Sequence, residues 1–264
     1  MNDLILLKEA AREAGEIAKT HFKQGPQIWE KADNAGPVTQ ADLDVDLMLR
    51  NKLLAARPTY GWLSEETEDN SDRLSNDIVF IVDPIDGTRA FIEGTPHWAH
   101  SLAIVKGGRV QCAAVFLPML DLMFTATLNT GSFLNEQPIS VGTRIRTSGA
   151  DILSSKANFS DEFWPGGFPG LKRSFRSSLA YRLCLVANGD FDGMLTLRPT
   201  WEWDVAAGCL LVNEAGGLVT NQIGEELFFN SVSAKLNGIV ASNSNIHSGL
   251  MLGLTKVIEK ILSG

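Results

Sequence analysis

The chain has 264 residues, of which 44% are hydrophobic and 20% are charged, with a formal net charge of −8. This composition is ordinary for a globular protein of one large or two small domains. The acidic balance argues against a surface built mainly to bind nucleic acid. No apolar run approaches the roughly 18 residues of a membrane span. The apolar run at residues 4–7 is too short for a signal peptide, so we expect a cytoplasmic protein.

The N-terminal half predicts two helices and then a series of strands. Residues 4–22 carry apolar side chains at helical spacing. Thr39, followed three residues later by Asp42, is typical of a capping box and starts a second helix that ends before Pro58. Strand-like segments follow at residues 60–64, 78–82, 102–105, 110–116 and 122–126, with a further edge segment at 131–135.

Beyond about residue 142, strand and helix patterns alternate along the chain. Strands are predicted at residues 152–155, 193–197 and 238–241, and helices at residues 179–187, 205–215 and 246–261. This order predicts a mixed α/β protein of two halves, residues 1–142 and 143–264, which form one continuous unit. The segment from 158 to 173 is long for a loop, and its role as a lid or a plain surface loop stays open.

The three cysteines, Cys112, Cys184 and Cys209, each lie in an apolar run and have no zinc-type spacing. We interpret them as reduced, buried packing residues. Two of the four histidines, His97 and His100, are predicted to be wall or strand residues instead of metal ligands. His21 and His247 are predicted to lie at the surface.

The run from residue 82 to 88 is the most informative stretch of the chain. Asp83 and Asp86 follow an apolar strand-like segment, and Gly87 and Thr88 come next. Aspartate oxygens are the ligands that Mg²⁺ prefers, and the two following amides would point at an anion if they open a helix. The pattern predicts a metal and phosphate site. The alternative is a sharp turn in which Asp86 only caps a helix.

Two more acidic clusters lie at the edges of apolar segments. Glu65 and Glu66 follow the predicted strand at 60–64, and Asp204 lies at the start of the apolar helix predicted at 205–215. Taken singly, each carboxylate is explained by a cap or a solvated charge. Three such clusters fit convergence on cations better, because buried carboxylates need partners.

Four segments in this order resemble the signature segments of the inositol monophosphatase-like family. They are residues 37–42, 62–66, 83–88 and 203–207. Members are Mg²⁺-dependent, lithium-sensitive phosphomonoesterases, and the resemblance spans nearly the whole chain. It implies a layered αβαβα sandwich, a homodimer, and two or three Mg²⁺ ions per active site. The implied substrate is a small phosphorylated metabolite, without direct nucleic-acid or membrane binding.

The resemblance also implies a set of metal ligands. Glu65, Asp83 and the backbone carbonyl of Ile85 would hold a first Mg²⁺. Asp83, Asp86 and Asp204 would hold a second, so that Asp83 bridges the two ions.

Catalytic and substrate-binding roles are implied in the same way. Thr88, paired with Asp42, would orient and deprotonate the attacking water, and Glu65 would assist. The amides of Gly87 and Thr88 would bind the phosphate, and Ser178 and Arg198 would contact the substrate. We predict direct attack by water, because no cysteine, serine or histidine is placed as an obvious nucleophile.

The substrate is the least determined part of the prediction. The resemblance implies hydrolysis of inositol-1-phosphate, yet inositol-specific members carry an acidic residue where this chain has Leu197. Residues 199–204 are instead similar to 3′(2′),5′-bisphosphate nucleotidases, and residues 89–92 to histidinol-phosphate phosphatases. Arg182 or Arg198 could meet a second phosphate or be a surface charge. A non-catalytic regulator of transcription complexes, known among bacterial relatives, is a further alternative.

Overall fold

Two β-sheets alternate with layers of helices in the computed structural model, which describes residues 2–25, 27–30, 36–164 and 168–262. The helices are α1 (Asp3–Gln24), α2 (Gln40–Ala56), α3 (Thr88–Ile92), α4 (Leu179–Ala187), α5 (Glu202–Glu214) and α6 (Ser244–Leu262). The strands are β1 (Ile28–Glu30), β2 (Pro37–Thr39), β3 (Gly61–Ser64), β4 (Ile78–Asp86), β5 (Ala99–Lys106), β6 (Arg109–Leu117), β7 (Leu122–Thr127), β8 (Ser132–Leu134), β9 (Gln137–Ile139), β10 (Asp151–Leu153), β11 (Lys172–Ser174), β12 (Gly193–Trp201), β13 (Leu218–Thr220) and β14 (Lys235–Ser242).

The first sheet has the strand order β3-β4-β5-β6-β7-β8-β9. β3 and β4 are parallel, and each later pair is antiparallel. Helices α1 and α2 cover one face, where Leu7 and Leu49 pack with Phe80 and Phe116. The predicted edge segment at 131–135 is wrong in one respect, because β9 pairs outside β8 and forms the edge.

The second sheet has the order β11-β10-β12-β14-β13 and combines parallel and antiparallel pairs. Helix α6 covers one face, where Ile246 and Leu250 pack with Leu195. Helices α4 and α5 lie between the two sheets, because their buried residues share one apolar core with Val115 of the first sheet and Ile239 of the second. The predicted αβαβα layering is therefore confirmed.

The predicted division at residue 142 falls between the two sheets, and it stays a prediction. The first sheet ends at Ile139 and the second begins at Asp151. The shared core of α4 and α5 joins both sheets, as the prediction of one continuous unit requires.

The segment from 158 to 173 is anchored where the structure describes it. Two turns of 3₁₀ helix, Lys156–Phe159 and Asp161–Phe163, fall in or next to it. Trp164 is buried and donates its indole N–H to the carbonyl of Asn158 at 2.9 Å. Residues 165–167 lie outside the described residues.

Burial confirms the interpretation of the cysteines and corrects that of one histidine. All three cysteines are free and buried. His247, predicted at the surface, is 5% exposed, and its Nε2 lies 2.9 Å from the hydroxyl of Thr220. The face of α6 that carries His247 packs onto the second sheet, which explains the difference. In the part of the chain that is described, no helix has the length and apolar character needed to cross a membrane.

Candidate metal centre

Three carboxylates from distant parts of the chain meet at the end of β4. Glu65 follows β3, and its amide donates to the carbonyl of Val82 on the parallel strand β4 at 3.3 Å. This pairing places Glu65 at the same sheet end as Asp83. Asp204 comes from the first turn of α5. One carboxylate oxygen from each of Glu65, Asp83 and Asp204 lies within 4.8 Å of the other two.

The electrostatics of this group favour a bound cation. Burial raises the pKa of Asp83 well above its usual range, and the charges of Glu65, Asp86, Asp204 and Glu66 raise it further. Asp83 Oδ1 is buried and has no hydrogen-bond partner among the described residues. Carboxylates this close repel one another unless a proton or a cation lies among them. Oxygen donors of this kind fit Mg²⁺.

Asp86 lies three residues further along β4 and is held by α4. Its Oδ2 accepts hydrogen bonds from Ser178 Oγ and from the amide of Ala180, both at 2.6 Å. Burial raises the pKa of Asp86 to about 6, although these hydrogen bonds lower it. Asp86 is not part of the group of three carboxylates that lie within 4.8 Å. The structure thus brings three of the four predicted side-chain ligands together. The fourth, Asp86, is held in place by hydrogen bonds from α4.

Ser178 is bonded to Asp86 and to its own helix, while its predicted contact with a substrate stays a prediction. Its side chain is fully buried. It caps α4 by accepting from the amide of Tyr181 at 2.9 Å and donates to Asp86. The N-cap position turns the hydroxyl inward, so that Ser178 orients the carboxylate of Asp86.

The hydroxyl of Thr88 lies beside Asp42, as the family resemblance implies. Thr88 Oγ1 is 3.4 Å from Asp42 Oδ1 and 3.1 Å from the carbonyl oxygen of Ile85. The other oxygen of Asp42 accepts from the amide and hydroxyl of Thr39 at 2.8 and 2.6 Å, which completes the predicted capping box. The cap that starts α2 therefore also aims Asp42 at the first residue of α3.

Gly87 gives the backbone the sharp turn that this arrangement needs. Its φ is +98°, in the left-handed region. A Cβ at this position would lie 3.2 Å from the carbonyl oxygen of His97 and 3.3 Å from Cβ of Ser178. Both the conformation and the close approach of α4 therefore favour glycine.

His97 and His100 lie near this region, with His100 in strand β5 as predicted. His100 is buried on β5, and its Nδ1 contacts the carbonyl of Pro84. Burial lowers the pKa of His100 to about 4, so the ring is neutral at physiological pH. The ring of His97 stacks on Tyr181, with 5.9 Å between centroids. Among the described residues, neither belongs to a group of potential metal ligands.

Sequence reasoning missed a buried polar network behind Asp204. The fully buried carboxylate of Glu202 accepts from the amides of Asn230 and Ser231 at 2.5 and 2.9 Å. The guanidinium of Arg73 donates to Asn230 Oδ1 at 2.6 Å, to the carbonyl of Ser231 at 2.9 Å and to both oxygens of Asp69. Three of these partners are backbone groups, so no residue pattern could signal them.

Arg182 and Arg198 differ in their surroundings. Arg198 is exposed on β12, next to a bulge between Thr196 and Pro199. Arg182 is 5% exposed on α4. Leu197, which precedes Arg198 on β12, is buried.

Comparisons with known proteins show which proteins this chain resembles in sequence and in fold. Residues 2–260 match the model of the inositol monophosphatase family. An inositol-1-monophosphatase of Rhizobium meliloti is 36% identical over 230 residues, which cover 82% of this chain and 81% of the relative. The structure of the extragenic suppressor protein suhB from Bartonella henselae is similar, with a TM-score of 0.79, 31% identity, and 95% and 97% of the two chains covered. An inositol monophosphatase of Thermotoga maritima gives a TM-score of 0.82 at 27% identity over 96% of each chain.

Proposed function

The chain belongs to the inositol monophosphatase family of phosphoric monoester hydrolases, and we propose that it hydrolyses a small phosphorylated metabolite in a Mg²⁺-dependent reaction. The observation that carries the proposal is the approach of Glu65, Asp83 and Asp204 to within 4.8 Å of one another. The partnerless buried oxygen of Asp83 supports it. We also expect the protein to act in the cytoplasm as a homodimer.

The ligands proposed for the metal ions are those implied by the family resemblance. Glu65, Asp83 and the Ile85 carbonyl would hold one ion, and Asp83, Asp86 and Asp204 a second. When bound, such ions neutralise phosphate oxygens and lower the pKa of a coordinated water. The hydrogen bonds from Ser178 and Ala180 would keep Asp86 ionised and oriented for this role.

Thr88 and Asp42 would handle the proton of the attacking water. The Thr88 hydroxyl can donate to Asp42 Oδ1 and at the same time accept from the water. Asp42 would then act as the general base through Thr88, with Glu65 assisting. The amides of Gly87 and Thr88, at the start of α3, would bind oxygens of the phosphate.

A protein nucleophile is not favoured by the described residues. The thiols of Cys184 and Cys209 lie in the core, and burial raises the pKa of each above the usual range. Such thiols stay protonated and unreactive at neutral pH. Direct attack by water is therefore the proposed mechanism.

Inositol-1-phosphate is the first substrate to test, and a 3′(2′),5′-bisphosphate is the second. The second candidate is favoured by Leu197, which is 8% exposed and offers no carboxylate to polyol hydroxyls. A non-catalytic regulator would not need the grouped carboxylates, so their presence favours an enzyme over that alternative.

The test is phosphate release from inositol-1-phosphate, adenosine 3′,5′-bisphosphate, histidinol phosphate and fructose 1,6-bisphosphate, with Mg²⁺ and with EDTA. We expect release from at least one substrate with Mg²⁺ only, and its loss in Asp83→Asn. Asp77→Asn is the matched control, because the Asp77 side chain is 71% exposed and pairs with Lys106 at the surface. Absence of release from the whole panel, or equal rates in EDTA, would contradict the proposal and favour the regulator.

A further inference from the structure

Asp46 on α2 accepts two hydrogen bonds from residues 64–67, which we name the Glu65 loop. Asp46 is 7% exposed. Its Oδ1 accepts from Ser64 Oγ at 2.5 Å, and its Oδ2 accepts from Thr67 Oγ1 at 2.6 Å. Ser64 and Thr67 lie on either side of Glu65 in the chain, so a single buried carboxylate holds the loop at both of its ends.

The chemistry of these groups explains why position 46 carries a carboxylate. The indole N–H of Trp62 donates to Thr67 Oγ1 at 3.1 Å, so the hydroxyl of Thr67 keeps its own hydrogen for Asp46. A carboxylate offers two acceptor oxygens to the two hydroxyl donors, whereas an amide of the same size offers only one. The distances of 2.5 and 2.6 Å are those of charge-assisted hydrogen bonds from a hydroxyl to a carboxylate.

The Glu65 loop is also held by the first sheet. Ser64 pairs with Val82 in the parallel ladder of β3 and β4, and the amide of Glu65 donates to the carbonyl of Val82 at 3.3 Å. Val82 directly precedes Asp83, so these contacts join the loop to the strand that carries another proposed ligand. The backbone at Glu65 is therefore fixed to β4 by the sheet and to α2 by Asp46.

Such support matters because the proposed ligands repel one another. One carboxylate oxygen of Glu65 lies within 4.8 Å of an oxygen of Asp83 and of an oxygen of Asp204. Like charges at this separation favour movement apart unless a cation lies among them. A loop that is fixed at residues 64 and 67 limits how far Glu65 can move away. Residues that orient metal ligands without binding the metal commonly change metal affinity by about 10- to 100-fold.

We propose that Asp46 is a positioning residue of the metal centre, which holds the Glu65 loop where Glu65 can bind Mg²⁺. The inference rests on the proposed Mg²⁺-dependent function and adds to it a residue that acts through the loop. Asp42, the proposed general base, lies one helical turn before Asp46, and both are buried residues of α2. One rigid helix therefore sets the position of the base relative to a metal ligand.

Calorimetric titration of Mg²⁺ into the wild type and into Asp46→Asn tests the inference without measuring activity. The amide keeps the size of the side chain but leaves one of the two hydroxyls without its acceptor. We expect Mg²⁺ binding to weaken by about tenfold or more. In phosphate-release assays, the Mg²⁺ concentration for half-maximal rate should rise by a similar factor. At saturating Mg²⁺, kcat and the KM for the substrate should change by less than about threefold, because the groups proposed to contact the substrate are unchanged.

Thr67→Val keeps the test decisive if Asp46→Asn does not fold, because it removes one hydroxyl and leaves the carboxylate in place. It should weaken Mg²⁺ binding by about threefold or more. Ser132→Ala is the matched control. Ser132 is 2% exposed, its hydroxyl donates to the carbonyl of Leu211 at 2.7 Å, and its strand β8 lies five strands from β3 in the first sheet. The control should lower the melting temperature, because a buried hydrogen bond is lost, and leave Mg²⁺ binding unchanged.

Wild-type Mg²⁺ affinity in both Asp46→Asn and Thr67→Val would overturn the inference and leave Asp46 as a contact that only stabilises the packing of α2 on β3. Failure of the proposed function gives a different result. In that case the wild type binds Mg²⁺ but releases no phosphate, and the calorimetric comparison of the variants still decides the inference. A wild type that does not bind Mg²⁺ would overturn both proposals.

Discussion

At the scale of single residues, the two carboxylate oxygens of Asp42 contact different partners. Oδ2 accepts from Thr39 and closes the cap of α2, while Oδ1 faces the hydroxyl of Thr88. The side chain is 1% exposed, so its orientation is set by these partners. The cap thereby holds Asp42 in the orientation that the proposed role as general base requires.

Asp42→Asn tests the proton-accepting role without removing the cap. One oxygen of the amide can still accept from Thr39, while the amide nitrogen cannot take a proton from Thr88. We expect kcat to fall by about 100-fold or more, with little change in the melting temperature or in the Mg²⁺ concentration for half-maximal rate. Asp44→Asn, two residues further along α2, is the control, because Asp44 Oδ2 lies 2.9 Å from His21 Nε2 and not at the proposed site. An unchanged kcat would show that Asp42 serves only as a cap.

Asp86 makes the free energy of unfolding of the metal-free protein depend on pH, and the sign of this dependence follows from its raised pKa. Its pKa is raised to about 6 in the folded state, compared with about 3.9 in an unfolded chain. Between these values the folded state binds more protons, so its free energy of unfolding decreases as pH rises towards 6 and beyond. The proposed Mg²⁺ ions would bind the ionised carboxylates, so Mg²⁺ should raise the melting temperature more at about pH 7.5 than at about pH 5.

Thermal melts with EDTA and with Mg²⁺ at the two pH values measure this difference. In Asp86→Asn the melting temperature in EDTA should depend less on pH across the same range. Equal effects of Mg²⁺ at both pH values would contradict the prediction.

At the scale of elements, the site depends on how closely α4 and α5 pack. Gly208 of α5 faces Leu183 of α4, and a Cβ at 208 would lie 2.5 Å from Leu183 Cδ1. Asp204 lies one turn earlier on α5, and Ser178 and Ala180 at the start of α4 hold Asp86. The separation of the two helices therefore controls the separation of two proposed metal ligands.

Gly208→Ala should push the helices apart, because the new methyl group overlaps the side chain of Leu183. We expect a loss of about 1–3 kcal/mol in the free energy of unfolding. The Mg²⁺ concentration for half-maximal rate should rise, because Asp86 and Asp204 no longer fit the same site. Asn213→Ala, at an exposed position of the same helix, should change neither quantity. Lower stability with an unchanged Mg²⁺ requirement would separate helix packing from metal binding.

The elements that the sequence predicts best are those with a signal at their ends. Helix α2 begins at the capping box of Thr39, and α4 has the predicted bounds behind its N-cap Ser178. Strands β4 and β12 continue past their predicted ends, to Asp86 and Trp201, because a bulge lets each ladder resume beyond its irregular part. Proline breaks the strand pattern at both places, at Pro84 and Pro199, so alternation alone could not extend them.

At the scale of the whole molecule, the sequence predicts the grouped carboxylates but not the contacts that hold them in place. Acidic residues at the ends of apolar segments indicate a cation site. This pattern predicts that Glu65, Asp83 and Asp204 lie close together, as they do in the structure. The contacts that hold them cross from one half of the chain to the other. Arg73 follows β3 in sequence, yet it binds Asn230 and Ser231 near β14. Such contacts depend on tertiary packing, which no local pattern encodes.

Arg73→Met tests whether this network positions the metal ligands. The guanidinium links Asp69, four residues after Glu65, to the segment that binds Glu202, two residues before Asp204. Removing one partner of a buried charged network costs about 3–5 kcal/mol, and we expect a loss of this size in the free energy of unfolding. The Mg²⁺ concentration for half-maximal rate should also rise, because the segments that carry Glu65 and Asp204 lose their common support.

Arg109→Met is the matched control for Arg73→Met. Arg109 also joins the two halves, through Glu226, but both side chains are more than half exposed. An exposed pair contributes at most about 1 kcal/mol, so stability and Mg²⁺ requirement should change little. If Arg73→Met reduced stability while the Mg²⁺ requirement stayed at the wild-type value, the network would only stabilise the contact between the two halves. A parallel rise in the Mg²⁺ requirement would instead make Arg73 a positioning residue, acting through Glu202 and Asp69 on a site that it does not touch.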